Sequence, residues 1–294
     1  MIHSPAGERI IRASALTGYA DCPRRAAAKL FRPDIRAAGY ELPELPSGIG
    51  AAMGTAVHSA AKVALDEVAK SGSLPPLSVA TDAAQAVLHE GVKKGVAWEA
   101  KGITTAQAAE VVVQKMVVSY HEEIAPTIQP ILVEERLEAT VSSDSLTGIS
   151  FVLSGQADVV AREPGKIRDL KTGKKRGAHG AQLGAYDLLA ESNGLPIKEA
   201  AIDFIQRVGL KTAQPPAVVD NYDLGNVQQQ ALRVIAQAET DLRTFLLGNA
   251  DLRLAAGDPR AFLSNPSSML CSPKYCPAHG TPFCRDHAPV VDDE

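Results

Sequence analysis

Aromatic residues are scarce in this 294-residue chain, at 4% with a single tryptophan. That excludes a base-reading platform built from rows of exposed rings. Cysteine is equally sparse: four residues are too few for a disulfide-dense scaffold. No uncharged apolar run approaches the ~18 residues of a membrane span. Residues 1–10 hold Pro5, Glu8 and Arg9 and lack the apolar centre of a secretory signal. The expectation is a soluble cytoplasmic protein with no membrane contact. Neither a G-x-G-x-x-G nor a P-loop pattern is present, so nothing supports nucleotide binding. The net charge of −4 excludes a chain coated in basic residues, though it leaves room for a local basic groove. With 45% hydrophobic and 22% charged residues, no internal repeat and no low-complexity tract, the chain has what a full hydrophobic core requires.

The first third reads as helical. Ser14 suits a helix cap, Pro23 restarts a turn after Cys22, and 24–31 is rich in alanine and arginine. Residues 33–50, with several prolines, read as a loop. Met53, Val57, Ala60, Ala64 and Val68 recur at helical spacing over 51–70, and further helices are expected near 78–97 and 104–124. The middle changes character. Alternating β-branched segments at 130–141 and 150–161 read as neighbouring strands, with a third strand at 166–170. A helix near 178–192, a strand at 200–208 and a long helix at 224–247 complete a mixed α/β core. The last 30 residues, rich in Pro, Cys, Ser and His, need something other than a hydrophobic core to hold them, and the acidic 286–294 tail is expected to be disordered.

The chemistry concentrates in Gly155-Gln-Ala-Asp158 and Asp169-Leu-Lys171-Thr-Gly. In a hairpin, Asp158 and Asp169 lie on adjacent strands, and Asp169 and Lys171, two apart, share a face. Two carboxylates with a lysine make a hard oxygen site for Mg²⁺ or Mn²⁺ with a cation beside it. The plainer alternative is a surface salt-bridge ladder. Gly54-x-x-x-His58 and Gln182-x-x-x-Tyr186 each place two residues one helical turn apart. Around the carboxylates, residues 161–177 carry seven positive and two negative charges, a local +5 that leaves −9 for the remainder. Lys174, Lys175 and Arg176 at its end, with Arg24 and Arg25 beside Cys22, are candidate phosphate contacts.

Taken in order, Gly54-x-x-x-His58, Gly155-x-x-Asp158, Asp169-x-Lys171-Thr-Gly and Gln182-x-x-x-Tyr186 resemble the RecB-like branch of the PD-(D/E)XK nuclease superfamily, with Glu134 and Glu135 where members often carry an acidic residue. The resemblance covers about 14–287. It implies a restriction-endonuclease-like α/β fold with helical additions, organised as a single nuclease domain with its catalytic core at 130–208. It implies metal-dependent DNA hydrolysis, exonucleolytic on single strands or duplex ends, in recombination, repair, phage DNA processing or CRISPR adaptation, within a bacterial or phage-infected cell. His58, Asp158, Asp169 and the Leu170 carbonyl would hold the metal, Lys171 would orient the attacking water, and Gln182 and Tyr186 would place DNA or support Lys171. A helicase or recombination protein is the implied partner. A non-catalytic DNA-binding module on the same fold is the alternative.

Cys22 near one end, and Cys271, Cys276 and Cys284 near the other, read as metal or cluster ligands. In the iron–sulfur subset of RecB-like nucleases, one N-terminal and three C-terminal cysteines hold a [4Fe–4S] cluster, which here would staple 14–31 to 262–287. The rival is zinc on Cys271, Cys276-x-x-His279 and Cys284-x-x-His287, leaving Cys22 as a buried thiol.

Overall fold

A computed structural model describes residues 7–162 and 164–287, the side chains of 286 and 287 excepted. The acidic tail from 288 onward lies outside that set. The expected mixed α/β architecture is present. Strand β1 (Gly7–Arg12) precedes three short helices, α1 (Leu16–Asp21), α2 (Pro23–Leu30) and α3 (Arg32–Ala37). Helices α4 (Ile49–Ser71), α5 (Leu77–Lys93) and α6 (Ala106–Ser119) follow. The central region comprises β2 (Pro130–Val133), β3 (Arg136–Asp144), β4 (Ile149–Gln156), β5 (Val159–Ala161) and β6 (Lys166–Gly173). Helix α7 (Gly180–Ser192), strands β7 (Glu199–Gln206) and β8 (Val218–Tyr222) and helix α8 (Leu224–Leu247) complete it.

Two sheets result, ordered β1-β4-β3 and β2-β5-β6-β7-β8. Where the sequence suggests one strand over 130–141 and another over 150–161, the structure shows one antiparallel ribbon cut in two. Val133 pairs with Val159 below the cut and Arg136 with Gln156 above it. That register is the same on both sides, so Glu134 stands opposite Asp158. The Glu134 amide donates to the Asp158 carbonyl at 3.0 Å. Glu134 adopts φ +48°, a conformation that costs a non-glycine residue energy and turns the strand. Each half of the ribbon then joins a different sheet.

The five-stranded sheet is covered on both faces. Val159, Leu170 and Ile205 pack with α4–α6, while Val160, Ile167, Ile202 and Phe204 pack with α7 and α8. Such two-sided burial explains the apolar runs of β5 and β7, while β6 between them carries the charged residues of the site. Small residues let the layers approach. A Cβ on Gly54 would stand 3.0 Å from Thr172 Oγ1, drawing α4 onto β6, and one on Gly184 would stand 2.0 Å from the Val227 carbonyl oxygen.

The C-terminal tail has more of a hydrophobic core than its composition suggests. Phe262 and Phe283 are fully buried and join Phe31, Tyr40 and Phe245 in a chain of ring contacts 5.3–6.5 Å apart. Aromatic burial therefore shares the work of holding this tail. Because α7 and α8 touch backbone to backbone at Gly184, Gly184→Ala should lower the unfolding free energy by about 2–3 kcal/mol, checked by denaturant unfolding.

Candidate metal and nuclease site

The bend in the ribbon brings three ligand types together. Glu134 and Asp158 face each other across it, and His58 comes from the middle of α4, held there by the close approach at Gly54. One donor atom each from His58, Glu134 and Asp158 falls within 4.8 Å of the others. His58 Nδ1 lies 2.9 Å from Asp158 Oδ1, and the Leu170 amide donates to Asp158 Oδ2 at 2.6 Å. Asp158 is thus fixed from two sides, by a helix and by the neighbouring strand.

Asp169 is adjacent and buried. Its Oδ1 accepts from Gln182 Nε2 at 3.2 Å, and Gln182 also donates to the Tyr186 hydroxyl at 2.8 Å. Its Oδ2 pairs with Lys171 Nζ at 2.6 Å but accepts no hydrogen bond of good geometry. Burial, reinforced by the Asp158 charge, pushes the Asp169 pKa up to about 6 against the pull of Lys171. Burial and Asp158 also raise Glu134. Burial opposes charging of His58, yet the Asp158 and Asp169 carboxylates outweigh it and leave that pKa raised. Clustered carboxylates lacking sufficient countercharge, one with an under-satisfied buried oxygen, fit a hard divalent cation in donor chemistry and in charge.

A model of the PD-(D/E)XK nuclease superfamily matches residues 12–284. The chain belongs to that superfamily. The superfamily's chemistry is nucleolytic and generally uses divalent metals, with DNA as the implied substrate. Among solved structures, that of SSO0001 is similar at 14% identity and a TM-score of 0.32, covering 78% of this chain and 77% of the other. No curated protein matches. Among the described residues, no helix of this nuclease is long and apolar enough to cross a membrane.

Of the residues expected at the site, the structure pairs His58 with Asp158 and joins Asp169 to Lys171, Gln182 and Tyr186, the two groups interacting through the Asp158 and Asp169 charges. Glu134 belongs with His58 and Asp158; its neighbour Glu135 is exposed. Two residues with no sequence signal stand near the edge of the site, one by the charge of Lys171 and one by a bond to Lys174. His179 precedes α7, and burial with the Lys171 charge lowers its pKa to about 4. Glu99 binds both Arg207 and Lys174, at 2.8 and 3.2 Å.

The basic stretch is less available than its count suggests. Arg168 is buried against Asp203, with Nε 2.9 Å from Oδ2; Lys166 pairs with Glu199 at 3.0 Å. Lys174, Lys175 and Arg176 are exposed, though Arg176 bonds Asp220. Arg24 and Arg25, expected at phosphates, point inward instead. Arg24 Nε donates to the Phe262 carbonyl, and Arg25 binds Asp21 and Ser268. They tie the tail to α2, which burial at 4–5% exposure makes their structural role.

Cys22, Cys271, Cys276 and Cys284 line one cavity with His279, and none is in a disulfide. The side chain of His287 lies outside the described residues.

Asp169 yields a stability prediction. Its folded pKa of about 6 exceeds the ordinary carboxylate value, so the unfolded chain loses this proton first. The group's contribution is full below about pH 4 and is lost as pH rises through 6. Asp169→Asn should therefore stabilise the metal-free protein at neutral pH, on the order of 2 kcal/mol, with the gap closing toward pH 4. Denaturant unfolding in EDTA across that range measures it.

Proposed function

We propose that this chain is a Mg²⁺- or Mn²⁺-dependent deoxyribonuclease of the RecB-like branch, acting as an exonuclease on single strands or duplex ends. The observation that carries the proposal is the convergence of His58, Glu134 and Asp158 at the ribbon bend, beside the Asp169–Lys171 pair. His58, Glu134 and Asp158 would hold the cation, with Asp169 and the Leu170 carbonyl as further ligands. The bound metal supplies Lewis acidity and charge neutralisation at the phosphodiester. Lys171, tethered by Asp169, presents its ammonium to the attacking water and to the charge that develops on the phosphate. Gln182 fixes the second Asp169 oxygen and so holds the lysine's partner in place. No helicase motif is present in the sequence, so unwinding would fall to a partner protein.

The four thiols support a [4Fe–4S] reading over zinc. Cys22 lines the same cavity as the three C-terminal cysteines, where a local zinc site leaves it apart. Tetrahedral zinc at ~2.3 Å from each sulfur would draw the sulfurs to roughly 3.8 Å from one another. Among the described residues, no three cysteine or histidine ligand atoms gather within 4.8 Å. A group that bridges four more widely spaced thiolates fits that spacing better than a single zinc ion, and its role would be to staple 14–31 to 262–287.

Two outcomes are expected. With Mn²⁺ the wild type should degrade end-labelled DNA, while Asp169→Ala and Lys171→Ala should each cut at least about 10²-fold more slowly and still retain DNA in a gel shift. If the metal-loaded wild type cuts no nucleic acid, the assignment fails. Anaerobically purified protein should be brown, absorb near ~400 nm and lose iron in Cys22→Ala; a colourless, zinc-loaded protein would contradict the cluster.

A further inference from the structure

A cleft of about 770 Å³ opens where α4 begins, and none of the chemistry above uses it. Its walls come from residues 44–51, residues 97–99 and residues 270–277 of the cysteine-bearing tail, with Lys29, Arg32 and Arg207. In a chain so poor in aromatics, two rings are spent here. Trp98, the only tryptophan, is 38% exposed, and Tyr275 is 42% exposed. Lys274 Nζ sits 5.1 Å from the Tyr275 ring centroid. Both rings thus present a partly open face to the same cleft.

The cleft is positive. Arg32 is neutralised by Glu44 and Arg207 by Glu99, so the excess charge resides on Lys29 and Lys274. Burial and the Arg25 charge lower the Lys29 pKa, consistent with a surplus of positive charge nearby. The cleft and the metal site share two chain segments. Along α4, His58 follows Ile49 by nine residues, about 13.5 Å of helix rise. Across the surface, Glu99 also binds Lys174, three residues beyond Lys171 on the same chain segment.

We infer that this cleft is the strand-entry subsite of the nuclease. It takes single-stranded DNA, with bases stacked on Trp98 and Tyr275 and phosphates beside Lys29 and Lys274, a few nucleotides from the bond that is cut. This rests on the nuclease reading above and narrows its substrate to single strands, because the base faces of a duplex are closed to inserted rings. Every base has a π-face, so the subsite grips without reading sequence. Cys271 and Cys276 bracket Lys274 and Tyr275, which makes the cysteine lobe one wall of the track.

The test uses the full-length protein in EDTA with a fluorescein-labelled oligodeoxythymidine, read by anisotropy. Trp98→Ala and Tyr275→Ala should each weaken binding roughly tenfold, within the range typical of base–aromatic stacking. Lys274→Gln should reduce the slope of log affinity against log salt by about 0.7, the single-strand value for one phosphate contact. Unlabelled oligodeoxythymidine should quench the emission of wild-type Trp98. Unchanged affinity in both ring variants, no quenching at saturation, or an equal loss of affinity for a blunt hairpin would overturn the subsite. Mn²⁺-dependent cleavage alongside any of those results would leave the nuclease reading standing. Quenching and weakened variants without any cleavage would leave the subsite standing and remove the nuclease.

Discussion

One backbone hydrogen bond, from the Glu134 amide to the Asp158 carbonyl, closes the point at which a two-stranded ribbon leaves one sheet and enters another. The pairing register survives the bend, so the two residues at the pivot stay opposite each other while their side chains turn out of the pleat. Glu134 bears the cost as a left-handed φ. Its side chain and that of Asp158 reach one point with His58. Backbone strain of this kind persists where surrounding structure enforces it. Here β5 and β6 on one side and α4 on the other do so.

From that pivot the remaining chemistry follows by alternation along β6. Ile167, Asp169 and Lys171 share the face toward α7, where Gln182 meets Asp169; Arg168 and Leu170 take the opposite face. This alternation separates two charged networks that sit one residue apart in sequence. Arg168 is consumed by Asp203 in the interior, while Lys171 remains at the site with Asp169. The tail contributes from outside the sheet. Its aromatic cluster and the inward-facing Arg24 and Arg25 seat it on α2, which brings Cys22 to the other three thiols and lays residues 270–277 along the mouth of the cleft.

The sequence made much of this legible, for reasons that can be named. Asp158, Asp169 and Lys171 could be placed because period-2 alternation and a short turn fix their relation locally. Gln182 and Tyr186, like Gly54 and His58, lie one helical turn apart, so helix geometry alone pairs them. The division of the ribbon between two sheets was not legible, because both halves keep the same alternating pattern and the break is a backbone event at Glu134. Strands β1 and β8 were missed as well; both are short, and the partner of β1 lies far along the chain, Gly7 pairing with Ile149. Arg168 looked like part of a solvated basic run, since its counterion stands 35 residues later. Arg24 and Arg25 looked like phosphate contacts, since the carbonyl and hydroxyl groups that bind them belong to a tail some 240 residues away.

The ribbon bend brings His58, Glu134 and Asp158 together as one candidate cation site. Titrating the wild type with Mn²⁺, followed by the loss of free-ion signal in electron paramagnetic resonance, tests it most directly. Saturable Mn²⁺ binding is expected, and Asp158→Asn and Glu134→Gln should each weaken it at least about tenfold, as loss of a metal-site partner does. Unaltered Mn²⁺ affinity in both variants would contradict it.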